Sequence, residues 1–223
     1  LNIPLEDVEI AEYDTDIVPN TGPTVASRSA MIVGYLIQEA SKKLKERWNE
    51  AEEIEIVEDY KHPTHLVDWD TNTLRGDAYP SYGLGINVVE VEVDKYTLEV
   101  KIVGVWAVFD CGYPIDEKIV EGQIKGGVAQ ALGWGALEKL VNKDGKFLQV
   151  KMSDYMIPTS LDLPEIKTCI MGEPYQYGPL GAKGIGEITF DGAASAYASA
   201  MESALKHHFT SIPILPENIA EVL

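Results

Sequence analysis

Hydrophobic and polar residues alternate with a period of two in three parts of the chain. The first part, from Val8 to Tyr13, predicts a half-buried strand that is closed by turn-forming residues. The second part runs from Asn87 to Ile102 and is interrupted by the turn formers Asp94 to Thr97, a pattern typical of a β-hairpin. The third part follows the turn at Asn142 to Gly145 and predicts a strand through Phe147 to Val150.

Three other stretches place apolar residues on one face of a helix. The first predicted helix runs from about Thr24 to Trp48, with Thr21 or Thr24 able to cap it and Pro23 suited to its first turn. The second runs from about Asp116 to Val141, and the third carries its apolar face from Ala193 to Leu205. The second helix also contains glycines that lower its propensity and so predict close packing against a neighbour or a ligand, among them Gly126, Gly127, Gly133 and Gly135.

The remaining stretches have the composition of loops. Acidic residues dominate Asn49 to Asp59, which we expect to be an exposed edge or loop, and the proline-rich stretch from Tyr155 to Pro179 predicts irregular structure. Because helices mix with antiparallel strands, the predicted fold class is α+β, with helices packed on a mainly antiparallel sheet. At 223 residues the chain is long enough to bury a substantial core.

The charge of the chain restricts its partners. A formal net charge of -18 would repel nucleic acid and an anionic membrane surface, so we expect neither as a partner. We find no apolar run as long as a membrane span and no secretory signal, which makes the cytoplasm the default location. Cys111 and Cys169 are too few for a disulfide framework and suit a reducing compartment. Because the sequence begins at Leu1 without an initiator methionine, we expect a piece of a longer polypeptide.

Several common catalytic motifs do not occur in the sequence. It contains no P-loop, no GxSxG elbow and no HExxH, so phosphate transfer, serine hydrolysis and zinc proteolysis lose their usual support. His62 and His65 have neither a cysteine nor a well-placed acid beside them, which favours loop or edge-strand histidines over a metal site. We therefore predict no direct metal ligand in the chain.

Two segments carry polar groups that could bind a ligand. In Thr21 to Arg28, backbone N–H groups at a helix start, the hydroxyls of Thr24 and Ser27 and the Arg28 guanidinium could hold an anion. From this segment alone, an ordinary capped helix is the favoured alternative. In Glu121 to Glu138, Gln130 stands among glycines and alanines and could offer a donor and an acceptor to a flat heterocycle. A glutamine that faces solvent explains this segment equally well.

A third segment, Gly178 to Gly192, contains five glycines in fifteen residues. Such a cluster indicates sharp turns or a close approach of the backbone to something else. Lys183 and the consecutive glycines could form an anion-binding loop, and Glu187, directly after the GAKGIG run, could serve as a base. The alternative is an acid near a helix N-terminus, where negative side chains are stabilised by about 0.3–1 kcal/mol.

The combination and order of these motifs resemble the molybdenum-hydroxylase family, which includes xanthine dehydrogenases, aldehyde oxidoreductases and nicotinate dehydrogenases. The resemblance extends from Asp14 to the closing IPILPENI and rests on five ordered motifs: DTDIVPNTGPTVASR, GDAYPSYGLGINVVEVEVD, IDEKIVEGQIKGGVAQALGW, DYMIPTSLDLP and GPLGAKGIGE. It implies that residues 1–223 are the C-terminal molybdopterin-binding region of the large subunit. We therefore expect a fragment of that subunit, or one part of a subunit that is split in two.

The resemblance also implies roles for individual residues. Glu187 would lie beside molybdenum as the catalytic base, and Gln130 would contact the pterin. The metal would be held by the sulfurs of the cofactor, so the protein would supply no ligand to it. The remaining residues that the resemblance assigns to the cofactor are Thr24, Val25, Ala26, Ser27, Arg28, Lys183, Gly184 and Gly186.

The implied reaction is the hydroxylation of a small heterocycle or an aldehyde with water as the oxygen source. Its implied cofactors are molybdenum with molybdopterin, in the cytosine dinucleotide form, and iron–sulfur clusters and FAD carried by partner chains or domains. The implied partners are those iron–sulfur and FAD subunits and the remainder of the large subunit, without which we expect no turnover. The alternative is a non-catalytic cofactor-binding or assembly module, which would have no need for a carboxylate at Glu187.

Overall fold

The computed structural model describes residues 1–50 and 52–223 and consists of helices packed on a small sheet. The strands are β1 (Gly85–Val93), β2 (Val100–Asp110), β3 (Asn142–Lys143), β4 (Lys146–Phe147) and β5 (Ile166–Met171). The helices are α1 (Gly34–Glu46), α2 (Glu117–Ala136), α3 (Ala193–Leu205) and α4 (Pro216–Ala220). Among these described residues, no helix is both long enough and apolar enough to cross a membrane.

The predicted hairpin is confirmed as the antiparallel pair of β1 and β2. Gly85 pairs with Phe109 at one end and Val93 with Val100 at the other, with a register shift after Glu90. The turn between the strands is held by Asp94, whose Oδ1 accepts hydrogen bonds from two backbone N–H groups. A carboxylate that binds the backbone two and three residues further on stabilises a tight turn.

The third strand of the main sheet, β5, lies inside the stretch predicted to be irregular, and that prediction was wrong for Ile166–Met171. It pairs in parallel with β2, so the sheet has the order β1-β2-β5 and one parallel pair. Six residues between proline-rich flanks gave too short an alternation to be recognised. The predicted strand at 147–150 is also shorter, because β4 ends at Phe147.

Helices α2 and α3 pack against each other, and α3 covers β1. Asp116 caps α2 by accepting a hydrogen bond from the backbone N–H of Ile119 at 3.1 Å. A Cβ at Gly135 would lie 3.3 Å from the Ala194 Cα, so this glycine lets the two helices approach closely. The helix ends at Ala136, five residues before the predicted end. The largest fully buried side chains include Phe109, Ile124, Leu132, Tyr197, Met201 and Ile214.

The N-terminal region differs from its prediction in two ways. Residues 8–13 form no strand and are all exposed. The first helix begins with one π-helical turn at Ser29–Val33 and continues as α1, so residues 24–28 precede it and neither predicted threonine caps it. The cause lies at Ala26 and Ser27, whose φ angles of 49° and 58° are left-handed and incompatible with a right-handed helix.

The acidic stretch at 49–59 contains no helix or strand among its described residues, as expected for a loop. Ala51 lies outside the described residues. Ile54, Ile56 and Glu58 are half-buried, and the Glu58 carboxylate forms an ion pair with Lys43 of α1. The stretch therefore lies along α1.

Candidate functional site

The glycine-rich loop, residues 182–186, lies directly against Ser27 and so brings two segments together that are far apart in sequence. The Gly186 N–H donates a hydrogen bond to the Ser27 Oγ at 3.2 Å. A Cβ at Gly184 would lie only 2.6 Å from the Ser27 Cβ, so a side chain cannot be accommodated there. The left-handed backbone of Ala26 and Ser27 is disfavoured for residues with a side chain, and such outliers often occur at functional sites.

A second contact joins α1 to the turn that precedes the loop. The Leu180 N–H donates to the Gln38 Oε1 at 2.6 Å. A Cβ at Gly34 would lie 3.0 Å from the Pro179 Cγ, so the helix and the turn are in close contact. Ser27 and α1 are therefore held at two separate points to the turn at Pro179–Gly181 and the loop that follows it.

Lys183 is held by an ion pair and does not extend freely from the loop. Its Nζ lies 2.6 Å from the Asp110 Oδ2, and the two side chains are 16% and 15% exposed. Its backbone N–H donates to the Cys111 carbonyl at 2.7 Å, and the other Asp110 oxygen accepts from the Gly112 N–H. Burial, aided by the Asp110 carboxylate, raises the pKa of the Cys111 thiol. Lys183 thus fixes the loop to the end of β2.

Glu187 and Gln130 face the same cavity, which has a volume of about 480 Å³. Gln130 comes from α2, and Glu187 from the turn after the glycine-rich loop. A Cβ at Gly126 would meet nothing within 4 Å, so the wall of α2 is open there. The cavity is lined by Gln123, Gly126, Gly127, Gln130, Gly186, Glu187, Thr189, Phe190 and Asp191.

The backbone just before Glu187 is held by two side chains that sequence reasoning missed. The Gly186 carbonyl accepts hydrogen bonds from the Gln123 Nε2 at 2.7 Å and from the Thr189 Oγ1 at 3.2 Å. Thr189 is completely buried, and a Cβ at Gly127 would lie 2.2 Å from its Oγ1. Gln123 could have been found from its spacing, because it lies seven residues before Gln130 and so on the same face of the helix.

Glu187 does not cap the helix that follows it. Helix α3 begins at Ala193, and Gly192, with a φ of 92°, occupies its N-cap position. Glu187 lies six residues before that first helical residue, and the helix dipole acts mainly within the first turn. The side chain is exposed at the wall of the cavity. The capping alternative therefore has no support in the structure.

Arg28, Thr24 and Val25 are not brought to this cavity. The Arg28 guanidinium donates to the Thr21 carbonyl and lines a separate cavity of about 570 Å³ that also contains Glu58. Thr24 and Val25 are exposed and lie outside the lining of either cavity. Of the segment assigned to the cofactor, Ser27 is thus the residue whose side chain contacts the glycine-rich loop.

The cavity fits a flat heterocycle better than a phosphate. Gln123 and Gln130 present two amides on one face of α2, beside the open wall at Gly126, and amides can pair with both donors and acceptors of a pterin ring. Its lining carries the carboxylates Glu187 and Asp191 and no lysine or arginine. In the described part of the chain, no three His, Cys, Asp or Glu side chains are grouped to hold a metal ion.

Comparison with known proteins identifies the family. The sequence profile of the molybdopterin cofactor-binding domain matches residues 1–59 and 48–164. Xanthine dehydrogenase 2 of Arabidopsis thaliana is 30% identical over 230 residues, which cover 91% of this chain and 17% of the relative. The carbon monoxide dehydrogenase large chain of Hydrogenophaga pseudoflava is 27% identical, covering 93% of this chain and 30% of the relative. The chain thus spans less than a third of either relative.

Solved structures of similar proteins agree with this result. Quinoline 2-oxidoreductase from Pseudomonas putida 86 is 38% identical with a TM-score of 0.56, over 59% of this chain and 17% of that one. Aldehyde oxidoreductase from Desulfovibrio gigas has the same fold, with a TM-score of 0.80 over 94% of this chain and 24% of that one, at 24% identity. The predicted α+β class and the predicted family are confirmed. The chain belongs to the molybdopterin cofactor-binding domain family of the molybdenum hydroxylases.

Proposed function

We propose that residues 1–223 are the molybdopterin-binding region of an oxidoreductase that hydroxylates a heterocycle or an aldehyde with oxygen from water. The observation that supports this proposal most directly is the shared cavity of Glu187 and Gln130, which joins a carboxylate and an amide from segments 57 residues apart in sequence. Membership of the molybdenum hydroxylases supplies the reaction class. Because the chain spans only part of its relatives, the activity belongs to the assembled enzyme.

The glutamines of α2 and the glycine-rich loop form the binding surface in this proposal. Gln130, with Gln123 beside it, pairs with the edge of the pterin, while Gly126 leaves room for the ring against the helix. Ser27 orders the loop through the Gly186 N–H. The bound cofactor supplies the two-electron redox chemistry. Lys183 and Arg28 act on the protein's own backbone and side chains and do not contact the cofactor through the cavity.

Glu187 acts as the general base. Its carboxylate accepts the proton of the water-derived oxygen that becomes the nucleophile. The two hydrogen bonds to the Gly186 carbonyl fix the peptide unit that precedes Glu187, and this limits the positions that the Glu187 carboxylate can take. A positioned general base typically contributes about 10²–10⁴-fold to the rate.

The finer assignments belong to the same proposal. The pterin is in its cytosine dinucleotide form, the electrons leave through iron–sulfur and FAD subunits, and the enzyme works in the cytoplasm. The substrate is a small heterocycle or an aldehyde. The charge of -18 is compatible with the absence of nucleic acid from the complex.

A second candidate is a non-catalytic module that binds or stores the cofactor. The observation in its favour is the solvent exposure of Glu187, since a base that works in this chain alone would need to be shielded from water. This candidate predicts that the assembled protein carries molybdopterin without oxidising any substrate.

The deciding experiment is Glu187→Gln in the assembled enzyme, with Asp191→Asn from the same cavity as the matched control. Turnover is measured with a purine, a pyridine carboxylate and an aldehyde in the presence of an artificial electron acceptor, and molybdenum is measured in the same samples. We expect Glu187→Gln to lower turnover by about 10²–10⁴-fold with molybdenum retained, and Asp191→Asn to change it much less.

Two results would contradict the proposal. Parallel loss of molybdenum and turnover in Glu187→Gln would make this residue a structural acid. A wild-type complex that contains molybdopterin and oxidises none of the substrate classes would favour the non-catalytic module.

A further inference from the structure

A further cavity, of about 320 Å³, lies on the other side of helix α2 from the cavity of Glu187 and Gln130. The described linings of the two cavities have no residue in common. Leu132 lines the further cavity and lies two residues after Gln130, so the two side chains leave α2 on nearly opposite faces. Pockets that bind small molecules have volumes of about 300–1,000 Å³. The further cavity is therefore large enough for a small ligand.

Most of the side chains around this cavity are apolar, among them Val100, Leu132 and Leu163. Leu161 also lines it and is 94% exposed, which places this side chain at the mouth of the cavity. A molecule in the cavity would remove apolar surface of both the protein and itself from water, and this burial favours binding. The lining therefore selects a ligand whose body is apolar.

Tyr197 brings an unpartnered polar group to the same cavity. The side chain lines the cavity and is only 1% exposed. Among the residues that the structure describes, none hydrogen-bonds to its hydroxyl, and burial is the cause that raises the pKa of Tyr197 to about 12. Buried tyrosine hydroxyls usually have a hydrogen-bond partner. A ligand atom in the cavity would supply the partner that the chain itself does not.

The walls of the cavity are held in place by hydrogen bonds within the chain. On one side, the Ile214 N–H donates to the Gly135 carbonyl of α2 at 2.9 Å. On the other side, the Asp162 Oδ2 accepts from the Thr159 N–H at 2.6 Å and from the Thr159 Oγ1 at 2.7 Å. Because these contacts already fix the walls, a ligand would not have to order them, and such preorganisation favours binding.

The charges around the cavity favour a neutral ligand. The charged side chains of its lining are Glu99, Lys101 and Asp162, an excess of one acid that disfavours an anion. An apolar wall disfavours any ion, because a buried charge without a partner is costly. Tyr197 keeps its proton below pH 10, so its hydroxyl can always donate to an acceptor atom.

We propose that this cavity is a second ligand site, which binds a small neutral molecule that has an apolar body and one acceptor oxygen. The Tyr197 hydroxyl donates a hydrogen bond to that oxygen, and the aliphatic side chains around it cover the apolar body. The site does not depend on the proposed function, because its lining includes none of the residues that we assign to the cofactor.

The test uses acetophenone, which has an apolar ring and one carbonyl oxygen, and α-methylstyrene, which has the same shape with a CH₂ group in place of that oxygen. Binding of each is measured by saturation-transfer difference NMR in the native complex, purified through a tag on this chain. Tyr197→Phe removes the hydroxyl and keeps the ring. The matched control is Tyr96→Phe, in the turn between β1 and β2, where the side chain is 85% exposed and lies outside the cavity lining.

We expect wild type and Tyr96→Phe to bind acetophenone with the same Kd, and Tyr197→Phe to bind it about 3- to 10-fold more weakly. α-Methylstyrene should bind equally to all three proteins, whose folding is checked by circular dichroism. Three results would overturn the proposal. Equal binding of acetophenone to wild type and Tyr197→Phe would mean that the hydroxyl bonds only to water. No binding to wild type would mean that another part of the complex fills the cavity, and an equal loss of both ligands in Tyr197→Phe would mean altered packing.

Discussion

Gly127→Ala should destabilise the chain although alanine is the better helix former. The added Cβ would lie 2.2 Å from the Thr189 Oγ1, 2.7 Å from its Cβ and 2.9 Å from its carbonyl carbon. Thr189 is completely buried and its backbone belongs to the tight turn after Glu187, so neither partner can yield easily. Overpacking of this kind costs about 1–3 kcal/mol, and three contacts this short place the variant at the upper end. The gain of about 1 kcal/mol in helix propensity leaves a net loss of about 2 kcal/mol.

The neighbouring glycine provides the matched control. A Cβ at Gly126 would meet nothing within 4 Å, so Gly126→Ala gains the propensity without the clash and should stabilise by about 1 kcal/mol. The two variants have identical composition, lie in the same helix and should differ by about 3 kcal/mol. Urea denaturation followed by far-ultraviolet circular dichroism measures this difference. With a slope of about 3 kcal/mol per M, the midpoints should be about 1 M apart.

Equal stability of the two variants would refute the described packing of Thr189 on α2. It would also remove the basis for the Gly186 hydrogen bonds, because the Thr189 hydroxyl reaches that carbonyl from its position against Gly127. A result in which Gly127→Ala is the more stable of the two would have the same meaning. The positioning of Glu187 would then need another explanation.

Three further predictions concern the elements that support the site. Asp110→Asn leaves the Lys183 ammonium without its partner. Loss of one member of a fully buried ion pair lowers the free energy of unfolding by about 3–5 kcal/mol, and because this pair is partly exposed we expect about 2–3 kcal/mol in the same urea experiment. A loss below about 1 kcal/mol, as for a surface pair, would contradict this prediction. Burial raises the pKa of Tyr197 from 10.0 to about 12. Because the unfolded chain loses this proton first, the stabilisation of the folded state by neutral Tyr197 is complete below pH 10 and is lost between pH 10 and 12, roughly 2–3 kcal/mol in all. Tyr197→Phe should lack this loss in a pH series of denaturation midpoints. Asp116→Ala should lower stability by about 1 kcal/mol through loss of the cap on the Ile119 N–H, whereas Asp116→Asn, which can still cap, should be nearly neutral.

Elements that depend on neighbouring residues were predicted well. The β1–β2 hairpin follows from the alternation of Val89, Val91 and Val93 and from a turn whose Asp94 binds the backbone two and three residues later. The start of α2 follows from Asp116, which caps a residue three positions away. In each case an aspartate accepts a hydrogen bond from a backbone N–H group two or three residues later, so the signal and the interaction lie close together in the sequence.

Elements that depend on distant residues were predicted poorly. The first helix was placed five residues too early because the left-handed backbone at Ala26 and Ser27 fits against Gly184 and Gly186, about 160 positions later. Strand β5 was missed because its pairing partner, β2, is far away in the sequence. Residues 8–13 have the pattern of a strand and find no partner in the described chain. The local sequence pattern indicates which secondary structure a segment favours, and long-range contacts determine whether that structure forms.

The candidate site shows the same division. The resemblance assigned Glu187 and Gln130 to one cofactor, and the structure places both in the lining of one cavity, while their roles stay predictions. The ion pair of Lys183 could not have been predicted from the sequence, because its partner Asp110 lies 73 residues earlier. A lysine in a glycine-rich loop looks the same in sequence whether it faces a phosphate or a buried carboxylate.

The distribution of charge at the cavity of Glu187 and Gln130 determines which part of a cofactor can lie there. The lining contains the carboxylates Glu187 and Asp191 and no lysine or arginine, and the side chains of Lys183 and Arg28 are engaged by Asp110 and the Thr21 carbonyl. Carboxylates repel an anionic group and amides do not. We therefore expect the uncharged ring of a bound cofactor, and not an anionic part of it, to lie against Gln123 and Gln130 in this cavity.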